Sequence, residues 1–175
     1  YFVDKKQLEN HGNRWSKQPG TFHSKIAIGL LNLASVLADD GQYIAAARRI
    51  CDWAVSKQLP DGRFVTDSND DSSFLHPMCY TLEGLLVAGI TFREERYLES
   101  GRKGIEWIWK NRQDDGGFPA YYVNGAHLLV ESPDISAQII RLFGLFRALE
   151  LANGDDEKID RSIGRLLEYQ CIDDN

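Results

Sequence analysis

The sequence predicts an all-α protein built as a ring of helical hairpins, an α/α barrel or toroid. Three hairpins are present and the ring is expected to be partial. A unit of glutamine, turn and aromatic residue recurs along the chain. It reads Gln58-Leu-Pro-Asp-Gly62-Arg-Phe64, then Gln113-Asp-Asp-Gly116-Gly117-Phe118, then Tyr169-Gln170, with the chain reaching Asn175 where a Gly-x-Phe is due. The glutamines lie 55 and 57 positions apart, and self-similarity at such a period marks a repeat architecture. Upstream of each glutamine stand two helical runs. The first is apolar on nearly all sides and the second on one face only, as for an inner ring of helices enclosed by an outer one.

Each element follows from local pattern. Residues 1–21, with His11-Gly12-Asn13-Arg14-Trp15, read as a lead-in segment. In the first hairpin (residues 22–64), Phe22-His23 opens an apolar run from Ile26 to Leu37, and Asp39-Asp40-Gly41 is expected to end it through a left-handed glycine. A second helix, about Gln42 to Lys57, carries Tyr43, Ala47, Ile50, Ala54 and Val55 at helical spacing. The second hairpin (75–118) opens at Leu75-His76-Pro77, where proline suits a first turn. It runs through Ile90, and its amphipathic partner covers about Arg93 to Arg112. The third (132–175) starts at Ser132-Pro133-Asp134, runs to about Leu151, turns at Asn153-Gly154 and resumes from Asp155 to Gln170. His76-Pro77 and Ser132-Pro133 are 56 positions apart, in step with the glutamines.

Composition narrows the partners. The 175 residues, 43% hydrophobic and 26% charged, make about one globular domain. A net charge of −6 argues against nucleic acid or an anionic membrane surface as the main partner. No apolar stretch approaches the roughly 18 residues that span a bilayer. Cys51, Cys79 and Cys171 lack C-x-x-C spacing and suit a reducing compartment as small buried hydrophobes, so a cytoplasmic location is expected. The start at Tyr1 rather than Met reads as that of a fragment.

The glutamine that ends an outer helix, followed by Gly-x-aromatic, resembles the repeat motif of the α/α toroids, among them terpenoid cyclases and protein prenyltransferases. Asp114-Asp115-Gly116-Gly117-Phe118-Pro119-Ala120-Tyr121-Tyr122 is similar to loops of α/α-toroid polysaccharide lyases and six-hairpin glycosidases. The resemblance covers residues 22–175. It implies the fold and leaves the chemistry open, because one scaffold hosts unrelated reactions. It also implies a pocket at the mouth formed by inner-helix N-termini. A stack of hairpins without neighbours leaves apolar faces open, so missing hairpins or self-association are expected to complete the ring.

Polar residues on the apolar inner helices are the candidates for that mouth, since a buried polar group needs a partner. His76, Tyr80 and Glu83 fall at i, i+4 and i+7, on one helix face. Asp134, Gln138 and Arg141 do the same one repeat later, while His23 and Lys25 open the first hairpin. Two such stripes at matching places read as the lining of a shared cavity. Glu83 or Asp134 would act as general acid or base, with His76 and Tyr80 assisting proton transfer. His23, Lys25, Gln138 and Arg141 would bind substrate, Arg141 through its carboxylate-matching fork. Competing structural roles are a helix cap at Asp134, a satisfied polar group at either histidine, and an ion pair of Glu83 with Lys25 or Arg141. Tyr121 and Tyr122, beside Phe118, form either a sugar-stacking platform or the packing that closes their loop; Arg63 is a rim candidate.

Asp61, Asp114 and Asp115 are explained by turn chemistry, and the three repeat glutamines by hydrogen bonds to backbone at helix ends. The run Asp67-Ser68-Asn69-Asp70-Asp71 contains neither D-x-D-D nor D-D-x-x-D. Phosphate-loop, dinucleotide, nucleophile-elbow and H-E-x-x-H motifs are absent, so no cofactor and no metal is expected. Three readings stand: an acid/base enzyme on a small-molecule or glycan ligand, acting by hydrolysis, elimination or epimerisation; a non-catalytic toroid for binding or assembly; and an isoprenoid cyclase or prenyltransferase-like enzyme, which the missing aspartate motifs disfavour.

Overall fold

A computed structural model describes residues 19–37, 41–66, 71–123, 126–128 and 131–170. Most of the lead-in segment, four of the five residues of the 67–71 acidic run, and Cys171 lie outside them. Among the described residues the chain forms a 3-10 turn, Thr21–Lys25, and six α-helices: α1 (Ile26–Ala34), α2 (Gly41–Ser56), α3 (Leu75–Phe92), α4 (Glu95–Lys110), α5 (Pro133–Ala148) and α6 (Asp156–Leu167). The odd-numbered helices are inner and the even-numbered outer. None of the described helices is long and apolar enough to cross a membrane.

The core lies between the two layers. Helix α3 is the most enclosed, with Leu75, Met78, Leu82 and Leu85 at most 2% exposed. Tyr97, Ile105 and Ile108 of α4 and Ile139, Phe143 and Phe146 of α5 close over it. Trp109 stacks on Phe143 at 3.8 Å and 6°. The first hairpin docks through backbone rather than bulk: Gly84 of α3 faces the Ser24 backbone, where a β-carbon would come within 2.4 Å of the Ser24 carbonyl. Thr21 and Thr81 hydroxyls are 3.0 Å apart at the same contact. Ile26, Leu33, Leu145 and Leu149 stay exposed on the inner-helix layer.

A small antiparallel sheet that the helical periodicity does not announce sits where the loops enter the inner helices. Its strands are β1 (Ser73–Phe74), β2 (Tyr121–Val123) and β3 (Ala126–Leu128), in that order. Tyr122 pairs with Ser73 on one side and His127 on the other, and Tyr121 with Phe74 and Leu128.

Three expected boundaries move, each for a local reason. Gly41 does not stop the first helix; it is the first residue of α2. The stop after α5 is at Glu150 (φ 58°), ahead of Asn153-Gly154, and the stop after α3 is at Arg93 (φ 53°). In both, the next N–H reaches back five residues, Glu94 to Gly89 at 2.9 Å and Leu151 to Phe146 at 2.8 Å. This Schellman closure is usually signalled by glycine, and here non-glycine residues adopt it.

The repeated turn is also built in a register one residue away from the glutamine alignment. Leu59 N–H donates to Arg63 C=O at 2.8 Å, and Gln113 N–H donates to Gly117 C=O at 2.9 Å. Asp61 and Asp115 each accept from the N–H two residues on, at 3.0 Å. Gln113 thus matches Leu59, and the residue matching Gln58 is Arg112. Gln58 Nε2 donates to Gly62 C=O and Ser100 C=O, both at 2.8 Å, as expected of it. In the next repeat Arg112 Nη1 donates to Lys158 C=O at 2.6 Å. Gln113 Nε2 is buried without a hydrogen-bond partner among the described residues, contrary to the backbone-capping role expected for it.

Gly62 and Gly116 take φ of +96° and +97°, and a β-carbon at either would lie 2.6–2.7 Å from the carbonyl oxygen of Lys103 or Arg161. Left-handed strain plus overpacking costs about 2–4 kcal/mol together. Gly116→Ala is therefore expected to destabilise by that amount in urea unfolding. Gly144→Ala, in helix α5 with open space around it, is expected to be neutral or to stabilise by up to about 1 kcal/mol.

Candidate functional site

The polar stripes of α3 and α5 meet. His76 Nδ1 lies 3.2 Å from Asp134 Oδ2. Seven residues further along each helix, Arg141 Nη2 donates to Glu83 Oε1 at 2.9 Å. Two contacts with equal offsets on both helices mean that α3 and α5 run parallel and in register, with His76 and Asp134 both in first turns. From the first hairpin, Lys25 Nζ reaches Glu83 Oε2 at 3.0 Å and stands 3.9 Å above the Tyr80 ring. His76 Nε2 and the Tyr80 hydroxyl are 2.7 Å apart, on one helical face four residues from each other. The series Asp134–His76–Tyr80–Lys25–Glu83–Arg141 therefore crosses all three hairpins.

Two carboxylates in this series have different surroundings. Burial alone would raise the Glu83 carboxyl, but the hydrogen bonds and charges of Lys25 and Arg141 outweigh it and hold the group below its usual range. Glu83 is an ionised counter-ion, the ion-pair role weighed from sequence, and it pairs with both cations rather than one. Asp134 is more open, its side chain 62% exposed. Donation from the Ser132 hydroxyl lowers its pKa most, against a smaller desolvation effect, with the Ile135 N–H and the charge of His76 adding to it. Asp134 is not the N-cap residue of α5; that is Ser132, whose hydroxyl bonds the Asp134 carboxylate and makes no capping hydrogen bond.

The remaining candidates divide by position. Gln138 lies between Asp134 and Arg141 on the same face, and its Oε1 is buried with no hydrogen-bond partner among the described residues. His23 stands on the 3-10 turn with its ring 4.3 Å from that of Phe22, near the series through Lys25. Tyr121 and Tyr122 are split between opposite sheet faces, as adjacent strand residues must be. Tyr121 meets Phe74 edge-on at 4.8 Å, while Tyr122 meets Trp107 at 5.3 Å and His127 at 5.2 Å. Arg63 is 5% exposed, donating to Asp71 C=O at 2.6 Å and Asp71 Oδ1 at 2.8 Å, with Tyr122 under its guanidinium. It organises the loop before β1. Cys79, on α3 behind the site, is fully enclosed, and burial pushes its thiol up to about 12, which keeps it protonated and inert.

Sequence reasoning missed the Lys25–Tyr80 contact, which joins residues 55 positions apart, and missed Trp107 and His127 altogether. The only sequence signal for the latter pair is their aromatic spacing around the Tyr121-Tyr122 hairpin.

No protein-family model matches the chain, and no curated protein matches it. Among solved structures it is similar to the ent-copalyl diphosphate synthase from Streptomyces platensis, at 22% identity and a TM-score of 0.61, over 88% of this chain and 28% of that one. It is also similar to a sugar epimerase from a ruminal bacterium, at 14% identity and a TM-score of 0.65, over 88% of this chain and 46% of that one. The chain spans less than half the length of either structure. Likeness of this degree establishes the α/α-toroid fold.

The depressed carboxyls set a pH dependence. A group whose folded value lies below its unfolded one stabilises fully above the unfolded value, about 4.3 for Glu. That stability is lost as pH falls through the lower folded value. Glu83→Gln is expected to destabilise by about 1–3 kcal/mol at pH 7, since it removes charge-assisted bonds to two cations. The gap from wild type should shrink below pH 4–5 in denaturant titrations.

Proposed function

We propose that the chain carries a proton-transfer site for a sugar, of the epimerase or lyase type among carbohydrate-active enzymes. The observation that supports this most is the Asp134–His76–Tyr80 series at the mouth. A carboxylate beside Nδ1 favours the tautomer that carries its proton there, which leaves Nε2 to accept from the Tyr80 hydroxyl. The Lys25 ammonium above the Tyr80 ring favours the phenolate once that proton moves. Tyr80 is then the group that takes a proton from the carbon beside the sugar carbonyl, while His76 holds the phenolic proton; return of a proton to the opposite face of that carbon inverts it, and loss of a β-substituent instead completes an elimination. Asp134 keeps His76 oriented and offsets its positive charge. Gln138 Oε1 accepts a substrate hydroxyl, and the free N–H groups of Arg141 hold a carbonyl or carboxylate oxygen.

Hydrolysis fits less well. Glu83 and Asp134 stand about two helical turns apart along parallel helices, roughly 10 Å at 1.5 Å per residue. Paired carboxyls in glycosidases sit about 5–5.5 Å apart for retention and about 6.5–9.5 Å for inversion. Glu83 is moreover held ionised by two cations, which unsuits it as a general acid. That a sugar epimerase shares the fold lends support at the level of scaffold only. The non-catalytic reading draws on one specific observation, that Glu83 is internally paired on both oxygens.

The test is solvent deuterium incorporation into a panel of hexoses, N-acetylhexosamines and hexuronates, followed by proton NMR. Tyr80→Phe and His76→Asn are each expected to slow exchange by about 10²–10⁴-fold, the usual share of general acid–base catalysis, with unchanged circular dichroism. Exchange at wild-type rate in both variants, or no exchange with any sugar in the wild type, would sink the reading and leave the polar series as scaffold.

A further inference from the structure

We propose that the outer rim of the mouth holds a second carbohydrate site, a subsite for a neutral oligosaccharide, separate from the His76 series. The proposal rests on the carbohydrate reading above for its ligand class, but on different residues. Two clefts adjoin on this rim and share Lys110 and Asn111. One, of about 520 Å³, is lined by Pro60, Asp61, Lys103, Glu106 and Trp107 as well. The other, of about 330 Å³, adds Gln113, Pro119 and His127. Each falls within the roughly 300–1,000 Å³ range of ligand sites.

Gln113 and His127, which line the second cleft, each carry a buried polar atom, Nε2 and Nδ1, with no hydrogen-bond partner among the described residues. A native fold leaves few such atoms, because burial without a partner forfeits the hydrogen bonds that water would make. The slip in repeat register accounts for Gln113: Arg112 makes the scaffold bond to Lys158, so the glutamine amide is not the group that makes it. His127 is the cross-strand partner of Tyr122, and Tyr122 meets Trp107 edge-on, so one aromatic row runs from one cleft into the other.

The lining defines the ligand. Lys103, Lys110 and Arg112 balance Asp61, Glu106 and Asp114, so the rim carries no net charge to select an ion. Lys103 and Glu106 are further engaged by Glu99 and Arg102. What remains is the Gln113 and His127 side chains, the Asn111 carboxamide oxygen (its nitrogen donates to Trp107 C=O at 2.7 Å) and apolar surface from Trp107, Pro60 and Pro119. Alternating hydroxyls and C–H faces of a neutral sugar chain match that set, and two adjoining clefts match more than one sugar unit.

The experiment is an NMR titration of the ¹⁵N-labelled chain with neutral tetrasaccharides of α- and β-linked glucose and of mannose. The Gln113 side-chain amide and the Trp107 indole N–H are expected to shift saturably with at least one of them. Trp107→Ala and Gln113→Glu should each weaken binding at least tenfold, and His76→Asn should leave it within twofold. Gln113→Glu keeps the side chain's size and removes its donor, so it stands as the test if Trp107→Ala unfolds. No saturable shift with any tetrasaccharide overturns the proposal, as do shifts confined to Gln138 and Tyr80. Rim binding in a chain that exchanges no sugar protons would uphold the subsite and overturn the mouth reading instead.

Discussion

Glu83 is the residue on which the arrangement turns. It is an anion on the middle inner helix, 18% exposed, and it binds one cation from the hairpin before it and one from the hairpin after it. At about 3 Å and an effective dielectric near 20, each attraction is worth roughly 5 kcal/mol before screening. Desolvation of a mostly buried carboxyl opposes this by up to about 4–7 kcal/mol. Lys25 and Arg141 are each nearly half exposed, so solvent reduces both attractions. Their sum still exceeds the desolvation cost, which is why the carboxyl stays ionised. A charge held in that way cannot slide along its neighbours without losing a partner. It thereby fixes the axial register of three inner elements that otherwise meet through aliphatic side chains and close backbone contacts.

The register has a chemical consequence two turns away. With Glu83 opposite Arg141, position 76 falls opposite position 134, so the first-turn histidine of one helix meets the first-turn carboxylate of the next. The same lysine that neutralises Glu83 lies over the Tyr80 ring. One cation therefore serves both the Glu83 carboxylate and the Tyr80 ring. Near the mouth, the three-stranded sheet then separates two environments. Tyr121 packs on Phe74 on one face, while Tyr122 and His127 on the other continue toward Trp107.

Much of this was legible because the inner helices are so apolar. On α3, His76, Tyr80 and Glu83 interrupt a nearly continuous hydrophobic surface, and their spacing alone places them on one face. The matching stripe of α5 supplies the other half, so the meeting of His76 with Asp134 and of Glu83 with Arg141 follows once the hairpins are taken as neighbours. Helix ends were legible less often. Arg93 and Glu150 adopt left-handed geometry without the glycine that signals it, because the Schellman hydrogen bonds repay the strain. The sheet was not legible, since its strands are two or three residues long and set by tertiary contact. The glutamine alignment misled by one position, as the turn is held by Asp61 and Asp115 and by the two left-handed glycines. Those residues, not the glutamines, are the faithful markers of the repeat.

That one-position slip separates the residue the scaffold uses from its neighbour. A repeat turn needs one side chain able to reach the neighbouring outer helix and take a carbonyl there. The first repeat uses Gln58 for this. The second offers both Arg112 and Gln113, and the turn register decides between them: Arg112 holds the matching position, and its longer reach takes Lys158 C=O. The glutamine amide next to it is then buried without a bond, at a cost that folding alone gives no reason to bear. Gln138 is in the same condition beside the His76 series, its carbonyl oxygen buried and unpaired on an otherwise fully engaged face. On the proposed reading, a ligand hydroxyl at either position would restore the bond that burial removed.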